Sequence, residues 1–127
     1  MGWWTVNALV IDDSRAIRLI LGRMLRELGM EVAEAANGRL GLDLLDDGLE
    51  PDVVLVDWNM PEMTGIEFVA AVRQPPYLST ARIVMVTTET ELPQVLQALA
   101  SGADEYVMKP FTKESIFEKL QLLGIEI

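Results

Sequence analysis

Neither cysteine nor histidine occurs among the 127 residues. Lack of cysteine excludes a disulfide framework and thiolate chemistry, and suits a reducing compartment. Lack of histidine excludes imidazole general-base catalysis and His-ligated zinc. Any bound metal must then be held by oxygen, which points to Mg²⁺, Ca²⁺ or Mn²⁺. Positive charge is scarce too: 10 Lys and Arg stand against 20 Asp and Glu, for a net charge of -10. That surface repels phosphate backbones, and with no Lys/Arg-rich run no nucleic-acid partner is expected. No apolar run approaches the ~20 residues that span a bilayer, so no membrane insertion is expected. The start, Met1-Gly2-Trp3-Trp4-Thr5-Val6, lacks the basic segment of a secretory signal. Val6 also stands where a myristoylation motif needs Ser or Thr, and the expected location is cytoplasmic.

What the chain has is apolar content: half of its residues are hydrophobic, enough for one folded domain of this length. Short β-branched runs alternate with helical periodicity. Strands are predicted at Val6–Ile11, Glu31–Ala35, Val53–Asp57, Ile83–Thr87 and Glu105–Met108. The first, third and fourth are almost wholly apolar, as strands covered on both faces should be. The clearest helix is Ser14–Leu28, where Ile17, Ile20, Leu21, Met24, Leu25 and Leu28 line one face. Ser14 or Asp13 can cap its start, and Gly29 follows its end. Further helices are predicted from the Asn37 cap to before Gly48, near Gly65–Arg73, over Pro93–Ala100, and over Thr112–Leu123. The pattern is (βα)₅: an α/β fold with a doubly wound parallel sheet of five strands. The last helix nearly reaches the end of the chain, so residues 1–127 are expected to form one domain with no output domain attached.

Five polar residues fall at the ends of these strands. Asp12 and Asp13 follow the first, Asp57 closes the third, Thr87 closes the fourth, and Lys109 follows the fifth. Ligands of open parallel sheets bind outside the carboxyl ends of the strands. Each residue alone has a plain structural reading. Asp12-Asp13 can be a helix cap with a dipole-compensating acid, Asp57 a turn starter, Thr87 a β-former and Lys109 a surface lysine. Together they assemble what phosphoryl transfer needs. Adjacent carboxylates repel unless a cation lies between them, a carboxylate can attack phosphorus, and a hydroxyl and an ammonium can neutralise the equatorial oxygens.

The Asp-Asp pair, Asp57, Thr87 and Lys109-Pro110-Phe111 resemble the receiver domain of two-component response regulators, over essentially the whole chain. Trp58-Asn59-Met60-Pro61 and Glu105-Tyr106-Val107-Met108 are similar to the chemotaxis-type single-domain receivers in particular. The resemblance, and not the spacing, implies the flavodoxin-like strand order 2-1-3-4-5. It implies that Asp57 accepts a phosphoryl group from a histidine kinase or phosphotransfer protein. It implies that Asp13, Asp57 and the Asn59 backbone carbonyl ligate Mg²⁺, with Asp12 acting largely through water. Thr87 and Lys109 would contact the phosphoryl oxygens, and the Lys109–Pro110 bond would be cis. A shift of Thr87 and an inward swing of Tyr106 would alter the surface of helix four, strand five and helix five. A downstream protein such as a flagellar switch would read that surface, on a monomer or a phosphorylation-dependent dimer.

Three positions tune that scheme. Thr88 stands where the family commonly has Ala, Gly or Ser, and its bulk is expected to slow self-phosphorylation from small donors. Asn59 and Glu89 form the pair found in fast-cycling chemotaxis receivers, which implies a short-lived phosphoform. The protein is thus expected to be a phosphoacceptor regulator that assists its own phosphorylation and dephosphorylation, not an enzyme. A phosphorelay intermediate or kinase-regulating receiver is the alternative. A haloacid-dehalogenase-type phosphatase is remote, since Asn59 cannot serve as its acid and base. A flavin domain conflicts with Asp12-Asp13 at the phosphate loop. A docking module independent of phosphate would not need all five positions. Trp3 and Trp4 are read as a partner anchor or an aromatic pair packed on the domain. The seven methionines are read as gap fillers.

Overall fold

The computed structural model describes residues 5–100 and 102–126, without the side chains of Glu89 and Ala98. Trp3 and Trp4 lie outside the described residues. Strands β1 (Asn7–Ile11), β2 (Glu31–Ala35), β3 (Val53–Asp57), β4 (Arg82–Thr87) and β5 (Glu105–Met108) alternate with helices. These are α1 (Arg15–Glu27), α2 (Gly38–Asp46), α3 (Gly65–Val72), α4 (Leu92–Ala100) and α5 (Lys113–Leu122). All strands pair in parallel, in the order β2-β1-β3-β4-β5. The flavodoxin-like (βα)₅ expectation therefore holds, including the order that the resemblance supplied.

Strand side chains alternate between faces, and that alternation builds two cores. Ala8, Val10, Val53, Leu55, Val84 and Val86 join Leu21 and Leu25 of α1 and Ile116 and Leu120 of α5. Leu9, Ile11, Val54, Val56, Ile83 and Met85 join Leu42 of α2, Phe68, Val69 and Val72 of α3, and Val95 of α4. Both faces are covered, which is why the central strands carry almost no polar residue.

The helix ends are locally encoded. Ser14, Asn37, Thr64 and Thr112 each accept a hydrogen bond from the backbone N–H three residues on. Thr64 and Glu67 close a reciprocal capping box. At the end of α1, Gly29 adopts φ +92°, its N–H reaching Arg26 O and the Met30 N–H reaching Leu25 O. That left-handed turn suits glycine, and it returns the chain into β2.

Of the two caps offered for α1, Ser14 is the one that forms. Two details differ from expectation. Ile20 is 46 % exposed. At about 100° per residue it lies roughly 70° from the centre of the face carrying Ile17, Leu21, Met24 and Leu28, so it flanks the packed stripe. A single 3₁₀ turn, Glu89–Glu91, precedes α4, and Pro93 sits in the first turn of that helix.

Candidate functional site

Parallel pairing carries the carboxyl ends of β1, β3, β4 and β5 to one edge. There Asp57 pairs in register with Val86, and Thr87 with Met108. Asp12 is 1 % exposed, Asp57 6 % and Thr87 0 %, whereas Asp13 is open to solvent. The carboxylates of Asp12, Asp13 and Asp57 each place an oxygen within 4.8 Å of the others. Lys109 extends its ammonium between two of them, 3.4 Å from Asp57 Oδ1 and 3.5 Å from Asp12 Oδ2. The Lys109–Pro110 peptide is cis, and so is Pro75–Pro76.

Asp12 is held from several sides. Its Oδ1 accepts from the Ser14 N–H at 2.8 Å, and its carbonyl accepts from Arg18 Nη1 at 2.7 Å. Its N–H donates to Ala35 O. Its Oδ2 is buried and makes no hydrogen bond, with the Lys109 ammonium 3.5 Å away as an ion-pair partner. A buried carboxylate oxygen without a donor is costly. Here it faces a second buried acid with one ammonium shared between the two. This donor set fits a hard, oxygen-seeking divalent cation.

Burial and the neighbouring Asp12 charge push the Asp57 carboxyl up to about 6, against the opposing pull of Lys109 and of the Asn59 N–H. Desolvation is the larger cause. Asp57 is therefore reluctant to hold its negative charge unless positive charge is brought to it.

The remaining expected residues surround this centre. The hydroxyl of Thr87 lies 3.2 Å from Thr88 O and 3.5 Å from Glu91 Oε1. Half-buried Thr88 hydrogen-bonds Glu91 and Thr90 through its hydroxyl. Asn59 is exposed beside Asp57. The side chain of Glu89 lies outside the described residues. Tyr106 is half-buried against the core containing Val95, with the Lys119 ammonium 4.9 Å from its ring centroid.

Residues 8–121 match the family described as Response regulator receiver domain. The chain belongs to the response regulator receiver family. The receiver is 40 % identical over 119 residues to Chemotaxis protein CheY1 of Helicobacter pylori, covering 93 % of this chain and 96 % of that one. It is 40 % identical to Chemotaxis protein CheY of Pseudomonas aeruginosa, over 91 % and 94 % of the two chains. Among solved structures, chemotaxis protein CheY4 of Vibrio cholerae superposes with a TM-score of 0.85 at 38 % identity, covering 94 % of this chain and 98 % of that one. The chain is thus a phosphoacceptor signalling protein of the chemotaxis type, and the phosphatase and flavin readings fall away. No helix among the described residues is long and apolar enough to cross a membrane.

Sequence reading missed two residues at this site. Arg18 pins the Asp12 carbonyl and lies 3.5 Å from Glu34 Oε1 on β2. Its signal was available: a charged residue four positions after a helix cap, beside an apolar stripe. Glu91 reads as an ordinary surface acid, and only the fold of the β4–α4 turn brings it back to Thr87.

Proposed function

We propose that Asp57 is the phosphoryl acceptor of this receiver. Its donor would be a phosphohistidine on a histidine kinase or phosphotransfer protein. A carboxylate oxygen of Asp57 attacks phosphorus, the bond to the donor imidazole nitrogen breaks, and the electron pair leaves with that nitrogen. Lys109 pairs with one phosphoryl oxygen, and the Thr87 hydroxyl donates to another. Asp13, Asp57 and the Asn59 carbonyl would hold Mg²⁺, with Asp12 engaged through water. Bound there, Mg²⁺ supplies the positive charge that keeps the acids ionised and neutralises the phosphoryl oxygens. Water later cleaves the acyl phosphate and regenerates Asp57, so the protein assists both its own phosphorylation and its own dephosphorylation.

The observation carrying this reading is the arrangement of Asp57 and Asp12 around one ammonium, with a buried Asp12 oxygen lacking a hydrogen bond. Its test is transfer of labelled phosphate from candidate histidine kinases in the presence of Mg²⁺. Label should enter the wild type and not Asp57→Asn; entry at another residue would refute the assignment.

The switched surface would be that of α4, β5 and α5, with Thr87 and Tyr106 linking it to the site and a downstream protein reading it. The CheY relatives support a chemotaxis target of the flagellar-switch kind. We take the chain as one receiver domain acting through protein contact, as a monomer or phosphorylation-dependent dimer in the cytoplasm.

Two rates follow. Thr88→Ala should raise self-phosphorylation from acetyl phosphate by about 3- to 5-fold, because a methylene-scale obstruction is worth about 1 kcal/mol at the low end and Thr88 is only half-buried. Stopped-flow or label incorporation measures this, and an unchanged rate would sink the role given to Thr88. Asn59 and Glu89 support a brief phosphoform; label should leave the protein well within an hour of donor removal, and persistence for many hours would contradict it.

A further inference from the structure

Glu91 has no place in the chemistry above, yet it gathers the donors at the end of β4. Its Oε1 accepts from the Thr88 N–H at 3.2 Å and from the Thr88 hydroxyl at 3.0 Å, and it lies 3.5 Å from the Thr87 hydroxyl. The Thr87 hydroxyl is also 3.2 Å from Thr88 O. Both acceptors lie on the side of the turn leading into α4. Among the described residues the Asp57 carboxylate accepts from Lys109 and from the Asn59 N–H, not from Thr87. A hydroxyl has one proton to donate. Thr87 can give it to the turn or to an oxygen on Asp57, but not to both at once.

We propose that Glu91 is a positioning residue that holds the Thr87 hydroxyl toward α4 until a phosphoryl oxygen on Asp57 competes it away. This rests on the acceptor role given to Asp57 and extends it. Glu91 immediately precedes α4, which begins at Leu92. Release of Thr87 therefore removes one of the contacts that tie the end of β4 to the turn entering the helix, while Thr88 still holds Glu91. A receiver whose competent arrangement is only partly populated binds its ligand correspondingly weakly. Removing Glu91 takes away one of the two competing acceptors, leaving Thr88 O, and should tighten binding.

The test uses the full chain with Mg²⁺ and beryllofluoride, a tetrahedral mimic of the phosphoryl group, titrated at equilibrium by ¹⁹F NMR. Glu91→Ala should bind beryllofluoride about 5-fold tighter than wild type, the scale of one modest hydrogen bond. Glu91→Gln keeps an oxygen acceptor and should stay within about 2-fold of wild type. In a Thr87→Val background, the gain from Glu91→Ala should shrink below about 2-fold, because there is no hydroxyl left to release. Should the alanine variant fold poorly by circular dichroism, Glu91→Met keeps the length without a strong acceptor and carries the same expectation. Unchanged or weaker binding by Glu91→Ala, or an undiminished gain in Thr87→Val, overturns the proposal. A wild type that binds no beryllofluoride with Mg²⁺ would instead overturn the phosphoacceptor reading, so the two failures are distinct.

Discussion

Asp57→Asn should abolish phosphoryl uptake and at the same time make the metal-free protein harder to unfold. The first effect follows from loss of the nucleophile. The second follows from the electrostatics of the pocket. The Asp57 carboxyl lies at about 6 in the fold against 3.8 when free, raised chiefly by burial and then by Asp12. The folded chain therefore holds this proton more tightly than the unfolded chain between those two values. In that window stability falls as pH rises, and above about 6 the full penalty stands. One pH unit corresponds to about 1.4 kcal/mol, and water reaching the rim of the pocket reduces the total to about 2 kcal/mol. Asparagine removes the charge at nearly constant shape. The variant should thus melt several degrees higher than wild type at about pH 7.5 without Mg²⁺. The difference should fade as pH falls from about 6 toward about 4 and vanish by about pH 3, where the wild-type carboxyl is protonated in both states. Adding Mg²⁺ should raise the wild-type melting temperature more than that of the variant, because ligation by Asp57 stabilises only the wild-type fold. Thermal melts across pH, with and without Mg²⁺, measure all three. A variant that melts below wild type in metal-free neutral buffer would contradict this account of the pocket.

Arg73→Ala should produce a large loss of stability at a polar position remote from the site. Arg73 caps the end of α3, and its guanidinium ties three separate segments together. Nε and Nη2 donate to Gly102 O at 3.0 and 2.9 Å, and Nη1 donates to Ser79 O and Ala81 O at 2.9 and 2.7 Å. Nη2 also meets Asp104 Oδ2 at 2.9 Å. That same oxygen accepts from the Ile83 N–H at 2.8 Å, fixing the start of β4. Alanine would strand these carbonyls and the Asp104 charge together. The pair is only about three-quarters buried, with side-chain exposures of 22 % and 24 %, so solvent softens the loss. A cost of about 2–4 kcal/mol remains, or a melting temperature lower by roughly 10 °C. Arg73→Lys should recover little of it, because one ammonium cannot reproduce the planar fork. Below its melting temperature the alanine variant should still take up phosphate at Asp57, since Arg73 serves the opposite edge of the sheet. Urea denaturation alongside label incorporation separates the two effects.

Local chemistry made much of this fold legible. Val53–Asp57 is bounded correctly because its apolar β-branched run ends abruptly at a polar residue. Helix starts were legible wherever a side chain caps its own backbone, as at Asn37 and Thr112. The site was legible because parallel strands bring their carboxyl ends to one edge whatever their order. That order itself came from resemblance, since no local pattern tells β3 to lie beside β1. Arg73 went unnoticed because the carbonyl it holds at Gly102 is far along the chain, and an arginine after an amphipathic helix looks like any surface charge. Ile20 misled because hydrophobic identity alone does not mark where a packed stripe ends.

The two cores also decide how a bound partner could feel the switch. α4 belongs to the layer packed around Val95, and α5 to the layer packed around Ile116 and Leu120. β5 closes one margin of the sheet between them, with Tyr106 turned to the first layer, Val107 to the second, and Lys119 of α5 reaching across to the Tyr106 ring. A protein laid over that margin straddles a seam. Its footprint would rest on both layers, so under the proposed function it would work as a vernier, registering any slip of one stack of helices past the other.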